Sequence, residues 1–206
     1  MKTIAENIEN RIEIKKSIFI CSLFSVKNMM ELKEIIRNIS TKHSDASHNC
    51  TAFIVNEDEG FDDDGEPIGT AGKPMLNVLK QNKLNNILVI VTRYFGGIKL
   101  GAGGLIRAYS KSVQEAIAIS NIINLYPHQI YELSFDYSIL KIITNEIRKN
   151  NFKILKKGYD DNVHFQIAVN EDNQNLKGLK SKLSDSLRIK FVKEEYLMVN
   201  LEDTNI

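Results

Sequence analysis

The chain has 206 residues, 43% of them hydrophobic and 26% charged, with a formal net charge of +1. That length accommodates one large domain or two small ones, each with a real core, and no apolar run approaches the length of a bilayer span. The first residues lack a signal-peptide apolar region, and two cysteines, Cys21 and Cys50, cannot build a disulfide framework, so a protein of the reducing cytoplasm with no membrane partner is expected.

Residues 3–26 alternate polar and apolar, with Ile12, Ile14, Ile18, Ile20 and Leu23 prominent, and predict a pair of strands. Asn28 is a candidate N-cap for a helix over about 29–41, whose apolar face is Met29, Leu32, Ile35, Ile36 and Ile39. A strand-like Thr51–Val55 follows. The acidic stretch 57–66 has no apolar period and ends on Asp64-Gly65-Glu66-Pro67, which predicts a mobile loop. A short helix then carries Pro74 near its first turn, with Met75, Leu76, Val78 and Leu79 for packing. Ile87–Val91 reads as a buried strand, and a long helix to about Asn121 presents Leu105, Ala108, Ser112, Ala116 and Ile119 on one face.

The pattern restarts around Asn124 to Pro127, which sets a domain split at 1–125 and 126–206. Ile130–Tyr137 predicts a strand, Ser138–Asn150 a helix, and Phe152–Lys157 with Val163–Val169 a strand pair joined through Gly158–Asn162. Leu176, Leu179, Leu183 and Leu187 mark a second helix, and Ile189–Leu201 closes as a strand. That βαββαβ order is the ferredoxin-like arrangement. With twelve bases and twelve acids, this half shows no chemical cluster.

The small net charge hides a segregation. Residues 57–66 hold seven acids and no base, whereas residues 67–124 hold seven bases and the single acid Glu115, a local balance of +6. Such blocks are most simply solvated faces, and they also suit a basic surface for a polyanion beside an acidic loop. His43, Asp45, His48 and Cys50 are metal-type donors, but the H-x-D-x2-H-x-C spacing matches none of the familiar zinc patterns. His48 and Cys50 share one face if this segment is a strand. The acids Asp62, Asp63, Asp64 and Glu66 lack the order of an EF-hand loop. No metal or cofactor is expected.

Between the buried strand and the long helix lies Thr92-Arg93-Tyr94-Phe95-Gly96-Gly97-Ile98-Lys99-Leu100-Gly101-Ala102-Gly103-Gly104-Leu105-Ile106-Arg107. A Walker pattern counted from Gly96 needs lysine where Ala102 stands, and G-x-G-x-x-G counted from Gly101 needs glycine where Ile106 stands. What remains is a strand, a glycine loop and a helix start, an order that can cradle an anion. The candidate anion- or RNA-binding residues are Arg93, Tyr94, Gly96, Gly97, Lys99, Gly101, Gly103, Gly104, Arg107 and Lys111. The plain structural alternative is a tight strand-to-helix crossing in which the glycines only permit close packing.

Asp63-Asp64-Gly65-Glu66-Pro67-Ile68-Gly69-Thr70-Ala71-Gly72-Lys73-Pro74, followed by the glycine stretch from Val91 to Tyr109, strongly resembles the IMPACT/YigZ family, as does Asp45-Ala46-Ser47-His48-Asn49-Cys50-Thr51-Ala52-Phe53 upstream. The resemblance covers most of residues 15–120, and the length and second domain are similar to the bacterial branch. It implies an α+β chain, with a ribosomal-protein-S5-domain-2-like domain followed by a ferredoxin-like βαββαβ domain. It also implies a link to translation, because the eukaryotic relatives are associated with control of initiation under amino-acid stress through protein partners. It implies no catalytic residues. The expected function is therefore a non-catalytic RNA- or ribosome-associated protein that modulates translation. One alternative is a protein-interaction regulator that does not touch RNA. The other is a hydrolase using His48, Asp63, Asp64, Glu66 and Arg93, with or without a divalent metal.

Overall fold

The computed structural model of the chain describes residues 1–170 and 186–198, together with 176, 178 and 183. It divides into two units, Met1–Asn124 and Leu125–Ile206. In the first, three strands stand where alternation predicted two: β1 (Lys2–Ile4), β2 (Ile8–Ile14) and β3 (Ser17–Ser25). The break between β2 and β3 is a two-residue turn with Lys15 at φ 47° and Lys16 at φ 66°. Neither residue is the Gly, Asn or Asp that normally announces such a turn, so the sequence shows no punctuation there.

Helix α1 (Met29–Lys42) starts as expected at Asn28, whose Oδ1 accepts from the backbone N–H groups of Met30 and Glu31, both at 3.0 Å. Next come β4 (His48–Val55), β5 (Asp58–Asp62), α2 (Gly72–Gln81), β6 (Ile87–Tyr94) and α3 (Ala102–Ala118). The sheet runs β2-β3-β6-β4-β5, antiparallel throughout. Helices cover both faces. Ile87, Val89 and Val91 of β6 join the core under α2 and α3, while Leu88 and Ile90 join the core under α1. This two-sided burial explains why β6 reads as an unbroken apolar run rather than an alternating one.

The buried face of α3 is Leu105, Ala108, Tyr109, Ser112, Val113, Ala116 and Ile117. Ile119, expected on that face, lies past the helix end and is 59% exposed.

The second unit contains the greater part of β7 (Ile122–Phe135), then α4 (Leu140–Lys149), β8 (Lys153–Tyr159), β9 (Val163–Asn170) and β10 (Leu187–Met198). Its antiparallel order β10-β7-β9-β8 is that of a ferredoxin-like sheet. The core here is apolar, built from Leu133, Phe135, Ile143, Ile147, Phe165 and Ile167 with their neighbours. The boundary between the units falls inside a continuous strand rather than in a linker. β7 begins at Ile122 and pairs its first three residues with β1, and Pro127 faces Tyr196 on one side only, because β9 pairing begins at His128. Proline is tolerated in a strand where no partner needs its missing N–H. Most of the helix expected around Leu176–Leu187, and the strand beyond Met198, lie outside the described residues. The architecture is α+β, with a ribosomal-protein-S5-domain-2-like first unit and a ferredoxin-like second.

Candidate functional site

The register of the first sheet sets the site. Arg93 near the end of β6 pairs with Phe19 on β3 and with His48 on β4, placing the three side by side on the face covered by α2 and α3. Two residues further into β4, Cys50 shares that face, as the strand reading of this segment requires.

The acidic stretch is not a mobile loop. Asp58–Asp62 forms β5, paired along its length with Thr51–Val55. Beyond it the carboxylates tie the chain down. Asp63 accepts from the backbone N–H groups of Gly69 at 2.7 Å, Ala71 at 3.0 Å and Gly72 at 2.8 Å, and so caps the start of α2, where Ala71 has no side chain to do it. Asp64, at φ 44°, accepts from the N–H of Asn49 at 2.5 Å. With these bonds made, Asp63 and Asp64 shape the turn that delivers Glu66 to the interior.

Glu66 is 6% exposed and Arg93 5%. Arg93 Nη1 donates to Glu66 Oε1 at 2.5 Å, and Tyr109 Oη donates to the same oxygen at 2.8 Å. The Arg93 guanidinium also lies 5.5 Å from the ring centres of both Phe19 and Phe95. Burial, and then the neighbouring Cys50 and Glu66, push the Tyr109 phenol well above its ordinary range, so it remains a donor. The Cys50 Sγ lies 3.0 Å from the Asp63 carbonyl and 3.3 Å from Tyr109 Oη. Burial first, with the charges of Glu66, Asp64 and Asp63, pushes its pKa up to about 12 against the lowering effect of the Tyr109 bond. Cys50 is therefore a thiol at neutral pH and a poor nucleophile. The His48 Nδ1 lies 2.7 Å from the Asp64 carbonyl, which can only accept. The proton is thus on Nδ1, and in the neutral ring Nε2 is an acceptor, 3.9 Å from Glu66 Oε2.

His48, Glu66 and Arg93 open into a cavity of about 360 Å³ that Phe95, Lys99, Leu100 and the first residues of α3 complete. Gly101 stands at the N-cap with φ 70°, a backbone conformation that favours glycine, and Gly97 has φ 83°. A Cβ on Gly96 would lie 2.0 Å from the carbonyl carbon and oxygen of Lys16, so this glycine lets the loop seat against the β2–β3 turn. Its N–H donates to Ser17 Oγ at 3.1 Å. Helix α3 begins without a side-chain cap and without an acid in its first turn. Instead, Arg107 folds back until its Nη1 is 3.6 Å from the place a Gly103 Cβ would take. A cation at the positive end of a helix dipole is unfavourable unless an anion joins it.

The sequence-derived candidates thus separate. Arg93, Lys99, Gly101, His48 and Glu66 line the cavity, with Gly96 and Gly97 in the connecting loop and Gly103, Gly104 and Arg107 in the first turns of the helix. Tyr94 faces the other side of the sheet, where its hydroxyl donates to Asp45 at 3.1 Å and lies 2.9 Å from His43 Nδ1. His43 and Asp45 consequently do not join His48 and Cys50, and among the described residues no group of three or more His, Cys, Asp or Glu can hold a metal ion. Lys111 is one turn further along α3, 3.6 Å from Glu115. Sequence reasoning missed Tyr109, although it follows Leu105 at helical spacing, and it missed Lys15 and Lys16, which carry no local signal.

Residues 15–117 match the Impact N-terminal domain, and residues 133–185 match a domain of unknown function, DUF1949. The chain is 45% identical over 176 residues to the IMPACT family member YvyE of Bacillus subtilis, covering 84% of this chain and 81% of that protein. It is 36% identical over 162 residues to the IMPACT family member YigZ of Escherichia coli, covering 76% and 79%. A crystal structure described as a hypothetical protein superposes with a TM-score of 0.69 at 31% identity, covering 93% of this chain and 97% of the other. Among the described residues no helix is long and apolar enough to cross a membrane. A first unit built around this glycine loop, followed by a ferredoxin-like unit, is thus matched along nearly its full length, and the chain belongs to the IMPACT family.

Proposed function

We propose that this protein is a translation-related regulator that binds RNA on the face formed by the β2–β3 turn, the glycine loop and the start of α3. The link to translation rests on family membership and the role that the resemblance implies. The RNA contact rests on one observation: two adjacent exposed lysines, Lys15 and Lys16, are held in left-handed conformations against Gly96. Positive φ at both positions is what a two-residue hairpin between β2 and β3 requires, and it fixes where this turn sits. Here it brings two cations beside the glycine loop, with Lys99 and Arg107 near the open helix end and Phe95, 48% exposed, as a stacking surface. Clustered cations with an exposed aromatic suit a phosphodiester chain with unstacked bases.

Filter binding of ribosomal RNA at low and moderate salt tests this reading. Affinity is expected to fall steeply with salt, and the Lys15→Ala/Lys16→Ala variant is expected to bind more weakly, with a salt slope shallower by about two phosphate contacts. Binding that is absent, salt-insensitive or unchanged in that variant would sink it. Partners recovered from nuclease-treated lysate in the absence of RNA affinity would favour the protein-interaction reading instead.

A further inference from the structure

We infer that the outer edge of β2 is a self-association surface, where a second copy of this chain adds its own β2 antiparallel, with Asn10 of each copy at the two-fold axis. This goes beyond the RNA reading, which concerns the lysines of the β2–β3 turn, and it stands if that reading fails.

Strand β2 lies at one end of the five-stranded sheet of the first unit and pairs only with β3. The register ends on Ile14 opposite Ser17 across the two-residue turn, and residues flanking such a turn exchange both backbone hydrogen bonds. Ile8, Asn10, Ile12 and Ile14 therefore point their N–H and C=O groups at β3, whereas Glu9, Arg11 and Glu13 point theirs outward. Among the described residues these outward groups have no hydrogen-bond partner. A row of this kind is a template for another strand.

The two edges of the sheet treat a copy of themselves differently. Strand β5, at the other end, carries Asp58, Glu59 and Asp62 and no base, so pairing along its length with a copy sets Asp58 against Asp62. Strand β2 is built the other way. Laid antiparallel on itself, Ile8-Glu9-Asn10-Arg11-Ile12 is its own complement: Glu9 meets Arg11, Ile8 meets Ile12, each pair occurs twice, and Asn10 meets Asn10. The charged pairs fall on the exposed side. The isoleucine pairs fall on the side packed against the core under α2 and α3, where Ile8 and Ile12 are only half-buried. Centring the strands on Arg11 instead opposes Arg11 to Arg11 and Glu9 to Glu13, and centring them on Ile12 sets Asn10 against Ile14. Charge and polarity thus select one register. The present partner of Glu9, Lys42 at 3.4 Å, is an exposed contact worth little and does not compete. So short a strand pair buries less than a standard interface, and the dimer is one in exchange with monomer.

Sedimentation velocity of the full chain over a range of concentrations reads the association. A monomer–dimer equilibrium is expected, weakened by salt. Arg11→Glu sets acid against acid at both charged pairs and should raise the dissociation constant about tenfold or more, with the melting temperature unchanged because Arg11 is exposed. Glu9→Arg/Arg11→Glu exchanges the charges and should restore the dimer. Asn10→Cys places two thiols at a pair without mutual backbone hydrogen bonds, where Cα atoms lie about 4.5 Å apart, within the span of a disulfide. Mild oxidation should link the dimer through position 10 and leave the buried Cys21 and Cys50 free. Lys15→Ala/Lys16→Ala should dimerise as the parent does whatever its RNA affinity, which separates the two readings. The inference is overturned if the chain is monomeric at every concentration, which leaves the edge to a strand of another protein. It is overturned equally if Arg11→Glu leaves the dimer intact or the charge exchange fails to restore it, which places the contact elsewhere.

Discussion

Between Met1 and Asn124 the interior holds Glu66, Arg93, Thr92, Ser112 and His43, each 9% exposed or less, whereas His128 is the one buried polar residue among the described residues from Leu125 onward. Among the described residues the second unit buries none of its carboxylates. Asp136 accepts from the N–H of Ser138 at 2.7 Å and Asp160 from that of Asn162 at 2.8 Å, both as turn formers. Its interior is aliphatic and aromatic. For folding alone, a buried ion pair is often no better than well-packed apolar residues of the same volume. Among its described residues the second unit builds a core without a buried ion pair. The first unit instead desolvates Glu66 and Arg93 beside its cavity, an arrangement that packing alone does not call for.

The largest effect comes from breaking that pair. Arg93→Met leaves Glu66 as an uncompensated buried charge and should cost about 3–5 kcal/mol in urea unfolding of the full chain, with amide exchange protection lost along β3 and β6. The double variant Arg93→Met/Glu66→Met removes both charges and should regain most of that loss. If the double variant is as unstable as the single one, the contrast between the units is one of packing and not of charge. A smaller effect separates two glycines. Gly96→Ala forces a Cβ to within 2.0 Å of the Lys16 backbone and should destabilise by roughly 1–3 kcal/mol. Gly158→Ala in β8 meets its nearest atom, His164 Cβ, at 3.6 Å, an ordinary contact, and should be close to neutral. Similar losses at both positions would show that the glycine loop is no more tightly fitted than an ordinary strand.

How much of this was legible in the sequence follows from the same division. Elements built on apolar periodicity were readable: α1 with its Asn28 cap, the run into β6, and the βαββ order of the second unit follow their patterns, although β7 starts at Ile122, eight residues before the expected Ile130. Elements built on polar contacts were not. The stretch 57–66 looked like a solvated loop because its seven acids have no apolar period. Yet the backbone of β5 pairs with β4 whatever its side chains are, and Asp63 and Asp64 spend their charge on N–H groups up to 15 residues away in sequence. The cluster from His43 to Cys50 shows the opposite failure. Its four donors are close in sequence, but the strand sends His48 and Cys50 to one face, while His43 and Asp45 meet Tyr94 on the other. Proximity in the chain said little, and the register of three strands decided which side chains meet. The left-handed Lys15–Lys16 turn had no sequence signature at all.

The smallest effect near neutral pH is also the one with opposite sign in the two units. Cys50 rises from its ordinary 9.0 to about 12, chiefly by burial, and Tyr109 is raised from its ordinary 10.0 for the same first reason. Above about pH 9 the unfolded chain releases the thiol proton while the folded chain keeps it. The unfolded state then binds fewer protons, and stability falls. This contribution is complete below about pH 9 and is lost as pH climbs toward 12. In the second unit the signs reverse. Hydrogen bonds from Ser138 hold Asp136 below its ordinary 3.8, and those from Asn162 and then His164 hold Asp160 below the same value. Their contribution is present above that pH and disappears as pH falls, on a shallow limb because both groups sit in solvent. Iodoacetamide labelling read by mass spectrometry reports on the first unit. Cys50 should resist modification in the native chain at pH 8 and react once urea unfolds it, and the urea midpoint for its exposure should move down between pH 9 and 10.5. A native Cys50 that reacts at pH 8 like a free thiol would mean that water reaches the Glu66–Tyr109 cluster. The first unit would then not bury its charges as the contrast requires.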